Sequence, residues 1–245
     1  MLIEAQDLVV RRGGVAAVNG VSFTAPSGRW TGIVGANGSG KTSLLRGLAG
    51  RLEVQRGAIR IDSVDRTADR AWRARQLGFA PEIAALPASL TGEELFSIIA
   101  PDWRNAVRTG GLLGLRDALA FESFLGERIG ALSAGMRQRL ALFAAFVGAP
   151  AAAILDEPFN WLDPVCAYDT RCALRALVDG GLTLCTALHE TAALVSSCDE
   201  GLLLSEGRVA RTLTKADLER GRRDYGAFET EMIAVLRGLG GPVPR

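Results

Sequence analysis

The run Gly35-Ala36-Asn37-Gly38-Ser39-Gly40-Lys41-Thr42 constrains this 245-residue chain more than any other segment. It fits the pattern G-x-x-x-x-G-K-[S/T]. Glycines at those positions let consecutive backbone amides curl around the β- and γ-phosphates of a nucleotide. The following helix N-terminus adds partial positive charge, the lysine reaches the phosphates, and the threonine hydroxyl can ligate a divalent cation. The flanking sequence suits the motif: Arg29–Val34 reads as a strand, and Thr42–Leu52, which includes Ser43, reads as a helix. The chain is Arg-rich, and Lys41 is one of only two lysines, the other being Lys215.

Strand and helix patterns alternate on both sides of the loop. Ile3–Val9, Val18–Ala25, Ala58–Asp62, Leu77–Ala80, Ala151–Leu155 and Leu182–Ala187 read as strands. Gly201–Leu204 and Arg208–Leu213 read as a hairpin, and Ala134–Val147, Val165–Val178 and Thr191–Ser197 as helices. Such alternation predicts an α/β fold with a mainly parallel sheet around a phosphate loop. An antiparallel β subdomain is expected at the N-terminus. Residues 83–147 interrupt the alternation and read as an inserted helical lobe, with Thr91-Gly92-Glu93-Glu94 as a capping box. Thr214–Leu239 reads as a helical tail interrupted near Gly221.

Two acids, Asp156 and Glu157, follow the apolar run Ala152–Leu155. At the carboxyl end of a buried parallel strand they face the crevice where ligands bind. Asp156 suits the shell of a divalent cation, and Glu157 suits polarising an attacking water. Leu132-Ser133-Ala134-Gly135-Met136-Arg137-Gln138-Arg139 begins with a serine placed to cap a helix whose amides can face an anion.

That last segment resembles the LSGGQ signature of ATP-binding cassette ATPases, and it precedes the acid pair in the family's order. The resemblance covers about residues 1–213, with 214–245 as a C-terminal tail. It implies an ATPase with ATP and Mg²⁺ as cofactors, the metal held by Thr42, Asp156 and Glu82. It implies that Ser133, Ala134, Gly135 and Met136 contact a nucleotide held by a second ATPase subunit, homologous or identical. Asp163 would touch across that dimer. His189, the only histidine, matches the switch histidine that contacts the γ-phosphate. Polytopic membrane permease subunits are the implied partners, and the cytoplasmic face of the plasma membrane the implied location. The Met-Arg-Gln-Arg form and the chain length resemble bacterial exporter subunits.

The chain departs from the family pattern at four places. Arg12 stands where an aromatic ring stacks on adenine; a guanidinium can also stack on a base. Glu82 replaces a glutamine, Met136 replaces the signature glutamine, and Trp161 replaces a glycine.

Composition narrows the partners. A formal net charge of +1 lacks the basic excess of a nucleic-acid-binding protein, and none is expected. The most apolar stretch, Leu140–Leu155, is broken by Gly148 and Pro150 and is too short to span a bilayer. The N-terminus has acids where a secretion signal has a basic region. Cys166, Cys172, Cys185 and Cys198 lack metal-site spacing. Arg66, Arg70, Arg73 and Arg75 read as a solvated basic face. Phe228, Met232, Val235, Leu236 and Leu239 have helical spacing and are expected to pack on the core or a partner.

Overall fold

The computed structural model describes residues 1–109 and 111–238. The chain starts with strands β1 (Ile3–Arg12) and β2 (Val15–Ala25), which pair antiparallel across a turn at Gly13-Gly14. Strand β3 (Trp30–Val34) is buried throughout and runs into the phosphate loop, where helix α1 (Lys41–Leu48) begins. Strand β4 (Arg56–Ile61) returns to β1, and β5 (Val64–Asp65) closes a four-stranded antiparallel sheet in the order β2-β1-β4-β5. Helix α2 (Arg70–Gln76) leads into the short strand β6 (Leu77–Phe79).

Next come three helices: α3 (Gly92–Ile99), α4 (Trp103–Thr109) and α5 (Leu113–Leu119). Three-residue 3₁₀ turns at Ile83–Ala85, Glu122–Phe124 and Ile129–Ala131 break up the region. Helix α6 (Ala134–Ala144) precedes β7 (Ala152–Asp156), α7 (Pro164–Asp179), β8 (Thr183–Leu188) and α8 (Thr191–Ser197). A hairpin of β9 (Glu200–Ser205) and β10 (Arg208–Leu213) leads to α9 (Lys215–Arg223) and α10 (Tyr225–Leu236).

The larger sheet has the order β10-β9-β3-β8-β7-β6, parallel except for β10. The alternation of side chains along its strands sends two sets of apolar residues to opposite faces. Ile33, Ile154, Cys185 and Leu202 pack with Leu44, Leu45 and Leu48 of α1 and with the antiparallel sheet. Trp30, Leu155, Leu184 and Leu203 pack with the lobe helices and with α7, α8 and the tail. Helix α1 is therefore held between two sheets. The lobe closes on aromatics: Phe96 lies 5.2, 5.5 and 5.3 Å from the rings of Trp103, Phe121 and Phe143. Its capping box is formed as the sequence predicts: Glu94 N donates to Thr91 Oγ1 (3.1 Å) and Thr91 N to Glu94 Oε2 (2.8 Å).

Two expectations are adjusted locally. The interruption expected near Gly221 is present but three residues on, and Gly221 itself stays inside α9, packed against Phe228 and Val195. The break is at Asp224, whose carboxylate accepts from Ala227 N and so starts α10 as its cap. Phe228 and Met232 are buried as expected; Leu239 lies outside the described residues.

The basic stretch 66–75 is solvated at Arg70 and Arg75 and half-buried at Arg66, but not at Arg73. It contains α2, and Arg73 is completely buried. Its guanidinium donates to the carbonyls of Leu48 (3.0 Å), Thr67 (2.7 Å), Gly47 (3.3 Å) and Arg66. Gly47 and Leu48 are the last residues of α1, whose carbonyls have no partner within the helix. Arg73 thus caps the phosphate-loop helix from outside, and burial pulls its pKa below the usual arginine value. Arg66 stacks on Trp72, 4.2 Å from the ring centre.

Candidate functional site

The phosphate loop lies at the carboxyl end of the central strand, with β9 and β8 on its two sides. A cleft of about 320 Å³ opens there, lined by Arg12, Ala17, the segment Asn37–Ser43 and Glu157. The loop is fixed by its neighbours. Gly207, in the turn between β9 and β10, donates from its amide to Ser39 O (2.9 Å), and Asn19 N donates to Gly207 O (2.7 Å). Gly40 has φ +102°, and a Cβ there would lie 2.1 Å from the carbonyl oxygen of Ala17. Only glycine combines that dihedral with that approach. Gly40 supplies no side-chain cap to α1, so the first amides of the helix face the cleft without a local acceptor. Lys41 is buried, with Nζ donating to the carbonyls of Gly35 (2.7 Å) and Ala36 (3.2 Å). It holds the loop in the curl that a phosphate needs.

The acid pair arrives from β7. In the parallel ladder Asp156 is level with Ala187 of β8, so the residues just beyond, Glu157 and His189, emerge side by side. Glu157 N donates to Ala187 O (3.1 Å), and the residue takes a left-handed backbone, φ +50°. Such a conformation is strained for a side-chain-bearing residue and tends to occur where function fixes it. The Glu157 Oε2 atom accepts from Asn160 Nδ2 (2.7 Å), and His189 Nε2 lies 2.8 Å from the same oxygen. Asn160 is a positioning residue that sequence reasoning missed; its spacing of three from the glutamate in a tight turn is the signal it left.

Asp156 sits deeper. Burial raises its pKa; a hydrogen bond with Thr42 and the charges of Arg46 and Lys41 pull it down, while neighbouring Glu157 pushes it up. Two polar atoms of this region are buried and have no hydrogen-bond partner among the described residues: Asp156 Oδ1 and Ser39 Oγ. A buried carboxylate oxygen without a donor, beside a threonine hydroxyl, is an all-oxygen donor set that fits a hard divalent cation.

Other residues singled out in the sequence lie outside this cleft. Glu82 pairs with Arg46 on α1 and lines a separate groove between the core and the lobe, with Arg51, Phe79, Ile99 and Ala144. Ser133 caps α6, its Oγ accepting from Met136 N (3.2 Å). Ala134 and Gly135 form the first turn of that helix, and Met136 packs against the core. A Cβ on Gly135 would come within 2.7 Å of Trp161 O, while the Trp161 ring is 67% exposed. Asp163 caps α7, accepting from Val165 N (3.1 Å) and Cys166 N (2.9 Å), and pairs with Arg139 of α6 (2.8 Å). The amide of Cys166 is the main reason its carboxyl lies below the usual range. Signature helix and Asp163 turn therefore form one surface unit, apart from the phosphate cleft of the same chain.

A sequence profile of the family described as ABC transporter matches residues 18–160. This chain belongs to the ABC transporter family. It is an ATPase of that family. It is 32% identical to the hemin import ATP-binding protein HmuV of Pseudomonas fluorescens, over 84% of each chain. It is 31% identical to the Nod factor export ATP-binding protein I of Burkholderia lata, over 84% of this chain and 68% of that one. Its fold superposes on the ATP-binding subunit of an ABC transporter with a TM-score of 0.82, at 26% identity, covering 97% of this chain and 100% of the other. The α/β fold expected from the sequence is the fold of these cassettes. No helix among the described residues is long and apolar enough to cross a membrane.

Proposed function

We propose that the chain is the peripheral, ATP-hydrolysing subunit of a membrane transporter, with residues 1–213 as the cassette and 214–245 as a helical tail. The reading rests on one observation above all: the Glu157 carboxylate and the His189 imidazole meet at 2.8 Å at the lip of the cleft that Lys41 and Thr42 floor. Loop amides and Lys41 hold the phosphates of ATP, and Ser39 Oγ, a buried hydroxyl with no hydrogen-bond partner among the described residues, can donate to them. Thr42 and Asp156 hold Mg²⁺, which supplies charge neutralisation of the phosphates. Glu82 joins them only by leaving Arg46. Glu157 orients and polarises the water, and His189, donating to Glu157, keeps that carboxylate aimed.

Ser133, Ala134, Gly135 and Met136 do not line this cleft. That favours a head-to-tail dimer in which each nucleotide is completed by the signature helix of a second cassette, with Asp163 and Trp161 beside the contact. Polytopic permease subunits at the cytoplasmic face of the membrane would be moved by closure of that dimer. For direction, export is proposed from the Met-Arg-Gln-Arg form, while relatives named for import and for export both match. In detergent-solubilised membranes the full chain is expected to co-purify with a polytopic membrane protein. Glu157→Gln is expected to trap an ATP-bound dimer and to lower phosphate release about a thousandfold. Recovery of soluble partners only, or equal turnover of the variant and the parent, would sink this reading. In inside-out vesicles, ATP-dependent accumulation of cargo supports export, and its ATP-dependent depletion reverses the direction.

A further inference from the structure

The C-terminal helices α9 and α10 reach the segment that carries His189. That histidine lies between the end of β8 at Leu188 and the start of α8 at Thr191. Glu190, the residue before α8, gives that helix no side-chain cap. The first residue of α8 is instead held from the tail: Thr191 Oγ1 and the Tyr225 hydroxyl are 2.9 Å apart, and Tyr225 donates onward to Glu229 Oε1 (2.7 Å). With its proton committed to Glu229, the Tyr225 oxygen accepts from Thr191. The other end of α8 is also held from the tail. Arg222 donates to the carbonyls of Val195 (2.8 Å) and Cys198 (2.7 Å), closing carbonyls that the helix leaves open. The tail is itself anchored, with Phe228 and Met232 buried and Arg211 of β10 paired with Glu231.

We infer that Tyr225 is a positioning residue for ATP hydrolysis: through Thr191 it fixes the backbone turn that keeps His189 against Glu157. This rests on the role given above to His189. The geometry separates two effects that a loose tail would merge. The tail touches the start of α8 and does not line the phosphate cleft, so loss of the Tyr225 hydroxyl should change the chemical step and leave nucleotide binding alone.

The test is steady-state phosphate release and ATP affinity of the full chain. Tyr225→Phe keeps the ring and removes the hydroxyl. It is expected to lower kcat about three- to tenfold, the worth of one hydrogen bond, with ATP affinity unchanged. Thr191→Val should give the same loss, Thr191→Ser should restore turnover, and the Tyr225→Phe/Thr191→Val double variant should be no slower than either single one, because both remove the same contact. Wild-type turnover in Tyr225→Phe, additive losses in the double variant, or an affinity that falls in step with kcat would overturn the inference. His189→Ala is the reference: if it turns over at the parental rate, the role of His189 itself fails, whatever the tail variants do.

Discussion

The N-termini of helices α1 and α6 are finished in opposite ways. Helix α6 begins at Ser133, whose hydroxyl accepts from the amide of Met136. Helix α1 begins at Gly40, which has no side chain to offer. In the first turn of α6 a side chain of the chain itself satisfies one amide, that of Met136. The first turn of α1 has no side-chain cap at all, and it is there that the proposed function puts the phosphates of ATP. The same contrast runs through the surroundings. The phosphate loop is shaped by backbone, with the carbonyl of Ala17 and the amide of Gly207 as its walls. The signature region is shaped by side chains, with Asp163 capping α7 and holding Arg139. A wall made of backbone tolerates little substitution, and a surface made of caps loses one hydrogen bond at a time.

Gly40→Ala should break the first half of this comparison with the largest effect. The new Cβ would meet Ala17 O at 2.1 Å in a backbone region hostile to alanine, costing about 3 kcal/mol of stability. Binding of a fluorescent ATP analogue should be lost. Retained binding would show that the loop does not depend on its backbone walls.

Arg73→Met comes next, because it attacks α1 from its other end. It removes the donor shared by the carbonyls of Gly47, Leu48, Arg66 and Thr67; Gly50 N and Asp69 N still reach Gly47 and Arg66, and the loss at Leu48 and Thr67 should cost about 2 kcal/mol. Thermal unfolding would read it. Arg73→Lys should recover only part, since an ammonium lacks the planar fork that reaches several carbonyls at once. A variant as stable as the parent would show that the guanidinium is not what closes α1.

These two positions differ in how far they are legible in the sequence. Gly40 was legible because glycine at a fixed offset from Lys41 and Thr42 has a local backbone meaning. The acid pair was legible for a similar reason, since an apolar run that ends in Asp156 and Glu157 fixes both the strand and its exit. Arg73 was not legible. Four arginines in ten residues look alike until the fold puts one of them against the end of α1. The pairing of Glu82 with Arg46 was hidden too, since it joins residues far apart in sequence across a groove. The helix break fell at Asp224 rather than Gly221, because in α9 the missing side chain serves packing and not a turn. Local chemistry can be read from neighbours in sequence; a charge buried by tertiary contact cannot.

Ser133→Ala tests the second half of the comparison and should be milder. Loss of the cap at α6 should cost about 1 kcal/mol of stability and leave ATP-analogue binding by the isolated chain at the parental level, because α6 does not line the cleft. If the variant lost binding as Gly40→Ala is expected to, the two helix ends would not be distinct.

The smallest effect concerns the open side of the phosphate cleft and depends on pH. Burial raises the Asp156 pKa above 3.8, so the folded chain disfavours its charged form. A raised carboxyl gives its full relative stabilisation when protonated, below the ordinary carboxylate range, and loses it as pH rises through the folded-state pKa. As pH rises through that range, the nucleotide-free chain is destabilised by charging a buried carboxylate whose Oδ1 has no hydrogen-bond partner among the described residues. Asp156→Asn should raise the Tm of the nucleotide-free chain at neutral pH, and the gain should shrink as pH falls toward the carboxylate range. The same substitution should remove the extra stabilisation that Mg²⁺ adds in the presence of ATP, since it deletes the charge the cation would meet. An Asp156→Asn variant less stable than the parent at neutral pH would mean that the carboxylate is satisfied within the chain, and the cleft would then be as self-sufficient as the signature helix.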